Sequence, residues 1–216
     1  MTDELKAGVW TSAAFEALAD ARRSVRRYAD APVPEEVMRS AIRSAHLAAS
    51  SNNLQPWEFH WIRPGSPLRA KAVEACLSQP AAATSAELVF LIGRPDLLSD
   101  RAAAMVAHFE AEGNEGTASY YRDQVAHNVR NMAPEARNAW VDKSVALAAA
   151  QFMLAIKAAG FDSCPMEGLD PDKVGALLGL PPEATVTMAI SVGQGIPEGL
   201  YGPRLRFPLA DHLHEH

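Results

Sequence analysis

The stretch PEARNAWVDKSVALAAAQFMLAIKAAG, residues 134–160, decides the fold. Pro134 suits a first helical turn and Gly160 a helix stop, so the spacing predicts one long helix. Trp140, Ser144, Leu147, Ala148, Gln151, Ala155 and Ala158 line one side, while Val145, Phe152 and Ile156 lie on the other. A helix that is apolar on nearly all sides is buried on nearly all sides. It is therefore either the central helix of the subunit or one that also packs against a second subunit. Its most apolar part, residues 145–161, contains Gln151 and Lys157 and is rich in Ala. That composition reads as a buried helix rather than a membrane span.

Working outward, two short apolar runs are candidate partners for this helix. LVFLIG (88–93) ends in Gly and reads as an interior strand, as does the run 185–192. WEFHWIR (57–63) alternates aromatic and polar residues, the pattern of a strand with one buried face. Helices are expected at residues 11–22, with Phe15 and Leu18 on one face, and from Pro34 onward, where Val37, Met38, Ala41, Ile42 and Ala45 recur at helical spacing. Further helices are expected at 68–77, 101–111 and, with loose ends, 112–131. Another starts with Asp170 as cap and Pro171 in its first turn and stops near Gly179. Residues 49–56 are small and polar and read as a loop. The Pro-punctuated tail from Gly202 should run over the surface or onto a neighbour. Helices come first and strands then mix with helices, without a regular βαβ alternation. This order predicts an α+β fold with a mixed or antiparallel sheet and helices packed around it.

At 216 residues, a single domain over 1–216 is expected. A net charge of -6 argues against a nucleic-acid surface. The two cysteines, Cys76 and Cys164, suggest a reducing compartment, the cytoplasm, rather than a disulfide framework. There is no secretory or transit pattern at the start. GxGxxG, P-loop, HExxH, GxSxG and CxxC motifs are absent, so no catalytic side chain and no metal ligand is expected.

Three segments carry chemistry. The first is Arg22-Arg23-Ser24-Val25-Arg26-Arg27-Tyr28, whose guanidinium and hydroxyl groups could hold a phosphate by charge-assisted hydrogen bonds. Taken alone it reads better as a solvated basic helix end. The second is Ser50-Ser51-Asn52-Asn53-Leu54-Gln55-Pro56-Trp57, whose polar groups could bond the edge of a planar heterocycle, or simply form a polar turn. The third is Pro165-Met166-Glu167-Gly168-Leu169-Asp170, in which Gly168 permits close backbone approach, or which is merely a helix-entry turn.

In combination, an RRSxR start, an SSxNxQPW loop and a PxEG turn resemble the nitroreductase family, and Arg204-Leu205-Arg206-Phe207-Pro208 resembles its closing basic pair. The resemblance implies FMN as cofactor, with Arg22, Ser24, Arg204 and Arg206 on its phosphate and Arg23 contributing backbone contacts. It places Arg26 near flavin N1 and O2, where a cation favours the reduced form. Ser50, Ser51 and Asn53 would act across a dimer interface, and Pro165, Glu167 and Gly168 would form the turn whose backbone amide faces N5. NAD(P)H would serve as co-substrate and deliver hydride, and a small-molecule electron acceptor would then take it. The resemblance further implies a three-layer α-β-α sandwich with a mixed, mostly antiparallel sheet, in an intertwined homodimer whose residues 200–216 cross to the partner. Residues 112–132 are a lid candidate, with Tyr120, Tyr121, His127 and Met132 as possible substrate contacts or as ordinary packing. Nitroaromatic or quinone reduction is the leading activity. Reductive dehalogenation, flavin breakdown and flavin binding without turnover remain open alternatives, and neither nucleic acid nor membrane is expected as a partner.

Overall fold

A computed structural model describes residues 11–216. Helices α1 (Ser12–Ala21) and α2 (Glu35–His46) precede strand β1 (Trp57–Ile62). Two short helices, α3 (Arg69–Ala75) and α4 (Pro80–Thr84), lead into β2 (Glu87–Gly93). Next come α5 (Leu98–Ala111), α6 (Glu115–Tyr120) and α7 (Ala126–Asn131), the last two joined by a π-helical turn at Tyr121–Val125. The chain then forms α8 (Pro134–Ala158), β3 (Asp162–Met166), α9 (Pro171–Leu178) and β4 (Thr185–Gly193).

The sheet order is β1-β2-β4-β3, and every neighbouring pair is antiparallel. The sheet, expected to be mixed and mostly antiparallel, is antiparallel throughout its ladders. Every residue of β2 is buried, because the sheet is covered on both faces. Val89 and Leu91 join Ile190 and Val192 of β4 in one core, against Met38, Ala41 and Ala45 of α2 and Val145, Phe152 and Ile156 of α8. The alternate residues Leu88, Phe90 and Ile92 join Cys164 and Met166 of β3 in a second core, against Ala72 and Ala75 of α3 and Val174 of α9. Side chains of a strand alternate between faces, so one continuous apolar run feeds both layers. The result is the helix–sheet–helix sandwich.

Helix α8 has the length and hydropathy to cross a membrane. In this fold it buries Val141, Ser144, Val145, Ala148, Ala149, Phe152 and Ile156. Its covered face therefore mixes residues from both sides of the sequence-based division, and Leu147 is left 53% exposed. Helix α1 buries none of its residues, and Phe15 is 60% exposed. The apolar face expected on α1 is covered only in part among the described residues: Leu18 is half-buried and Phe15 is not. Strand β3 was not expected: its sequence, DSCPM, holds one charged residue and a Pro.

Candidate functional site

The first motif starts at the C-cap of α1, as expected, but it is not a solvated helix end beyond that residue. Arg22 leaves the helix with ψ 123°, and the chain from there runs extended. Ser24 bridges Ser163 of β3 in parallel, with Val25 N–H donating to Ser163 O at 3.1 Å. On the other flank, Tyr28 bridges Gly195, and Arg26 N–H donates to Gly199 O at 2.9 Å. The segment is thus laced between β3 and the chain that leaves β4. Gly199 permits this approach: a Cβ there would lie 2.7 Å from the backbone N and O of Arg27. The Tyr28 hydroxyl anchors the segment from below, 2.9 Å from Ser191 Oγ, and burial pushes its phenol well above the usual range. Extended geometry sends Arg22, Ser24 and Arg26 to one side while Val25 is buried on the other.

This lacing brings the two ends of the chain together. Arg22, Arg23, Ser24 and Arg26 line one cleft of about 160 Å³ with Pro203, Arg204, Leu205 and Arg206. Arg204 donates from Nη2 to Arg22 O at 2.7 Å and to Asp20 O, and its Nη1 lies 3.3 Å from Asp20 Oδ1. These carbonyls belong to the end of α1, where a cation complements the helix dipole. Arg23 Nη2 donates to Gly202 O at 2.7 Å, and the Arg26 guanidinium lies 4.6 Å from the Tyr201 ring centre. Backbone carbonyls therefore hold the arginines, and among the described residues the one carboxylate paired with the cluster is Asp20, through Arg204. Burial, then the charges of Arg204 and Arg206, hold the Arg22 guanidinium below its ordinary pKa. A crowd of cations with unspent donors fits a doubly charged phosphate, which accepts several charge-assisted hydrogen bonds at once.

The third motif lies along the same sheet edge. Pro165 pairs with Ile190 inside β3, and Glu167 and Gly168 project beyond the strand end, both exposed. Glu167 O accepts from Leu169 N at 2.9 Å, and Asp170 N donates to Ala75 O at 2.8 Å. Gln79 Nε2 donates to Gly168 O, a contact no sequence pattern announced.

The second motif lies elsewhere. It leads into β1, the opposite edge strand, three strand spacings or roughly 14 Å across the sheet from β3. Ser50 Oγ accepts from Gln55 N at 3.0 Å, Ser51 N donates to Ser144 Oγ at 3.3 Å, and Asn53 Oδ1 accepts from Gln55 Nε2 at 3.1 Å. Asn52, Asn53 and Gln55 all adopt left-handed φ values, of 50°, 51° and 47°. Of the lid candidates, Tyr121 donates to Asn52 O at 2.8 Å and Tyr120 to Asn52 Oδ1 at 3.0 Å, so both tyrosines brace this loop. His127 is exposed and Met132 half-buried. One copy of the chain thus joins the first and closing motifs in one cleft, sets the third farther along the same sheet edge, and keeps Ser50, Ser51 and Asn53 across the sheet from both.

Residues 19–194 match the sequence profile of the nitroreductase family. The chain belongs to that family. A Thermus thermophilus protein named NADH dehydrogenase is 33% identical over 192 residues, covering 87% of this chain and 89% of the relative. The crystal structure of Bacillus subtilis ydfN superposes with a TM-score of 0.87 at 22% identity, over 95% of this chain and 100% of that one. A structure from Exiguobacterium sibiricum in complex with FMN gives 0.79 at 24% identity, over 94% and 97% of the two chains. The family places the chain among oxidoreductases, and the structural likenesses agree with the α+β sandwich. The profile match ends before Arg204 and Arg206, so the closing basic pair rests on the geometry of this chain.

Proposed function

We propose that this nitroreductase-family chain is an FMN-dependent NAD(P)H oxidoreductase that reduces nitroaromatics, quinones or related electron-poor acceptors as a homodimer. The observation that carries the reading is the cleft where Arg22, Arg23, Ser24 and Arg26 meet Arg204 and Arg206. Arg22, Arg206 and the Ser24 hydroxyl donate to the FMN phosphate, and Arg204, fastened to the end of α1, adds its charge. Arg23 fixes the backbone by holding Gly202. Arg26 supplies positive charge on the same side of the extended segment, which favours the reduced and more negative state of a bound flavin. The FMN complex of the Exiguobacterium relative and the name of the Thermus relative support the choice of flavin and nicotinamide.

Bound FMN would supply hydride transfer between a nicotinamide and the acceptor, chemistry that needs position and electrostatics rather than a side-chain base. The Gly168 backbone amide offers a fixed donor to the ring. Ser50, Ser51 and Asn53 lie across the sheet from the Arg cleft of their own chain, so they serve the cleft of a second copy. The test begins with the absorbance spectrum of the purified protein, followed by anaerobic addition of NADH or NADPH. A flavin spectrum that bleaches, and recovers with a quinone or nitroaromatic, is expected. Replacing both Arg22 and Arg206 with Ala should strip the cofactor. Unchanged flavin occupancy in that double variant would overturn the phosphate assignment.

A further inference from the structure

We infer that Gln79 is a positioning residue, which fixes the backbone N–H of Gly168 as a directed donor toward the cofactor ring. The inference rests on the flavin reading above and extends it to a residue outside every motif. It starts from a strained turn. Leu77 and Ser78, neither of them glycine, take consecutive left-handed φ values of 55° and 51°. Such a conformation persists in non-glycine residues where surrounding contacts over-determine it, and it clusters at functional sites. Here Leu77 N donates to Glu74 O at 2.9 Å and Ser78 N to Val73 O at 3.0 Å, closing off the end of α3. The turn delivers Gln79, whose Nε2 donates to Cys76 O at 3.2 Å and to Gly168 O.

Gly168 O belongs to the peptide unit that joins Gly168 to Leu169. The opposite end of that unit, Leu169 N–H, donates to Glu167 O at 2.9 Å. One peptide plane is therefore gripped at both ends, its oxygen by Gln79 and its N–H by Glu167. The next plane back, between Glu167 and Gly168, has its oxygen engaged by that bond. Its own N–H, on Gly168, has no acceptor among the described residues and lies on an exposed turn. A second tether, Asp170 N to Ala75 O at 2.8 Å, ties the same turn to α3. The Gly168 N–H is thus aimed by its neighbours and left open for a ligand. Accepting from a donor polarises a peptide and strengthens its own N–H, so the bond from Leu169 sharpens the donor that Gln79 orients.

A donor near a flavin ring nitrogen favours the oxidised ring, whose nitrogen accepts, over the reduced ring, whose nitrogen already carries hydrogen. Loosening the donor should therefore raise the flavin midpoint potential. Gln79→Ala removes the grip and leaves the backbone cap of α4 in place. In flavin-free protein, amide exchange at Leu169 should be several-fold faster in Q79A than in wild type. In flavin-loaded protein, Q79A should hold FMN within about twofold of wild-type affinity, because the phosphate cleft is untouched, and its midpoint potential should move positive. A structural role alone would alter thermal stability and leave the potential where it was. Unchanged Leu169 exchange, or an unchanged potential in a loaded and folded Q79A, overturns the inference. Wild-type protein that takes up no FMN removes the flavin reading and this inference with it, whereas loaded wild type with an unresponsive Q79A removes this inference alone.

Discussion

At the scale of single residues, buried charge is the sharpest lever. Glu87 opens β2 and is only 2% exposed, and among the described residues its carboxylate accepts one hydrogen bond, from Trp61 Nε1 at 2.7 Å. Burial pushes its carboxyl above the ordinary value of 4.5, and Trp61 and the charge of Arg69 offset part of that rise. A carboxyl whose pKa is raised on folding binds protons more tightly in the native state. Stability therefore falls as pH rises from the unfolded pKa through the folded one, and the loss is complete above the latter. Glu87→Gln keeps an acceptor for Trp61 and removes the titration. Its thermal midpoint should decline less between pH 4.5 and 8 than that of wild type, with the gap opening in the variant's favour toward the alkaline end. Parallel curves would show that the carboxylate is not held out of water as its surroundings indicate.

At the scale of elements, legibility followed burial. Helix α8 and strands β2 and β4 were readable because each meets apolar neighbours on two sides and so carries a near-continuous apolar run. Strand β3 was hidden because an edge strand can hold Pro165, which has no N–H to leave unpaired, and because its outer flank is filled by Ser24 and Val25 from far away in sequence. The same long-range contact concealed the extended form of the Arg motif, whose composition alone resembles a helix end. Gln79 was invisible for a similar reason: its partner, Gly168, is 89 residues away. The three motifs themselves were legible, since their residue types state the chemistry, but the sheet that separates the Asn loop from the Arg cleft was not. Helix α8 also retains an uncovered apolar side at Leu147, while Phe152 on its other side is fully buried. Leu147→Glu should leave the far-UV dichroism intact and shift sedimentation from a pair of chains toward a single chain. Sedimentation identical to wild type at micromolar concentration would remove this side of α8 from the subunit interface.

At the scale of the whole molecule, the fold and the proposed clamp are built from different parts of the chain. Both cores lie within residues 33–192, whereas none of residues 201–216 is buried. Yet those last residues contribute Arg204 and Arg206 to the cleft, and Leu205, Phe207 and Leu209 are each at least 70% exposed. An apolar arm of this kind is seldom left in water, and in the proposed homodimer a second copy would cover it. Ending the chain at Tyr201 separates the two roles. The hydrogen bonds lost from Arg204 to the end of α1 and from Arg23 to Gly202 amount to about 1–3 kcal/mol, which lowers the thermal midpoint of a chain this size by only about 2–12 °C. The truncated protein should therefore remain folded by dichroism and emerge from purification without FMN. A midpoint lowered by tens of degrees would make the tail a structural strap. Full flavin occupancy in the shortened chain would place the phosphate grip entirely on Arg22, Arg23, Ser24 and Arg26.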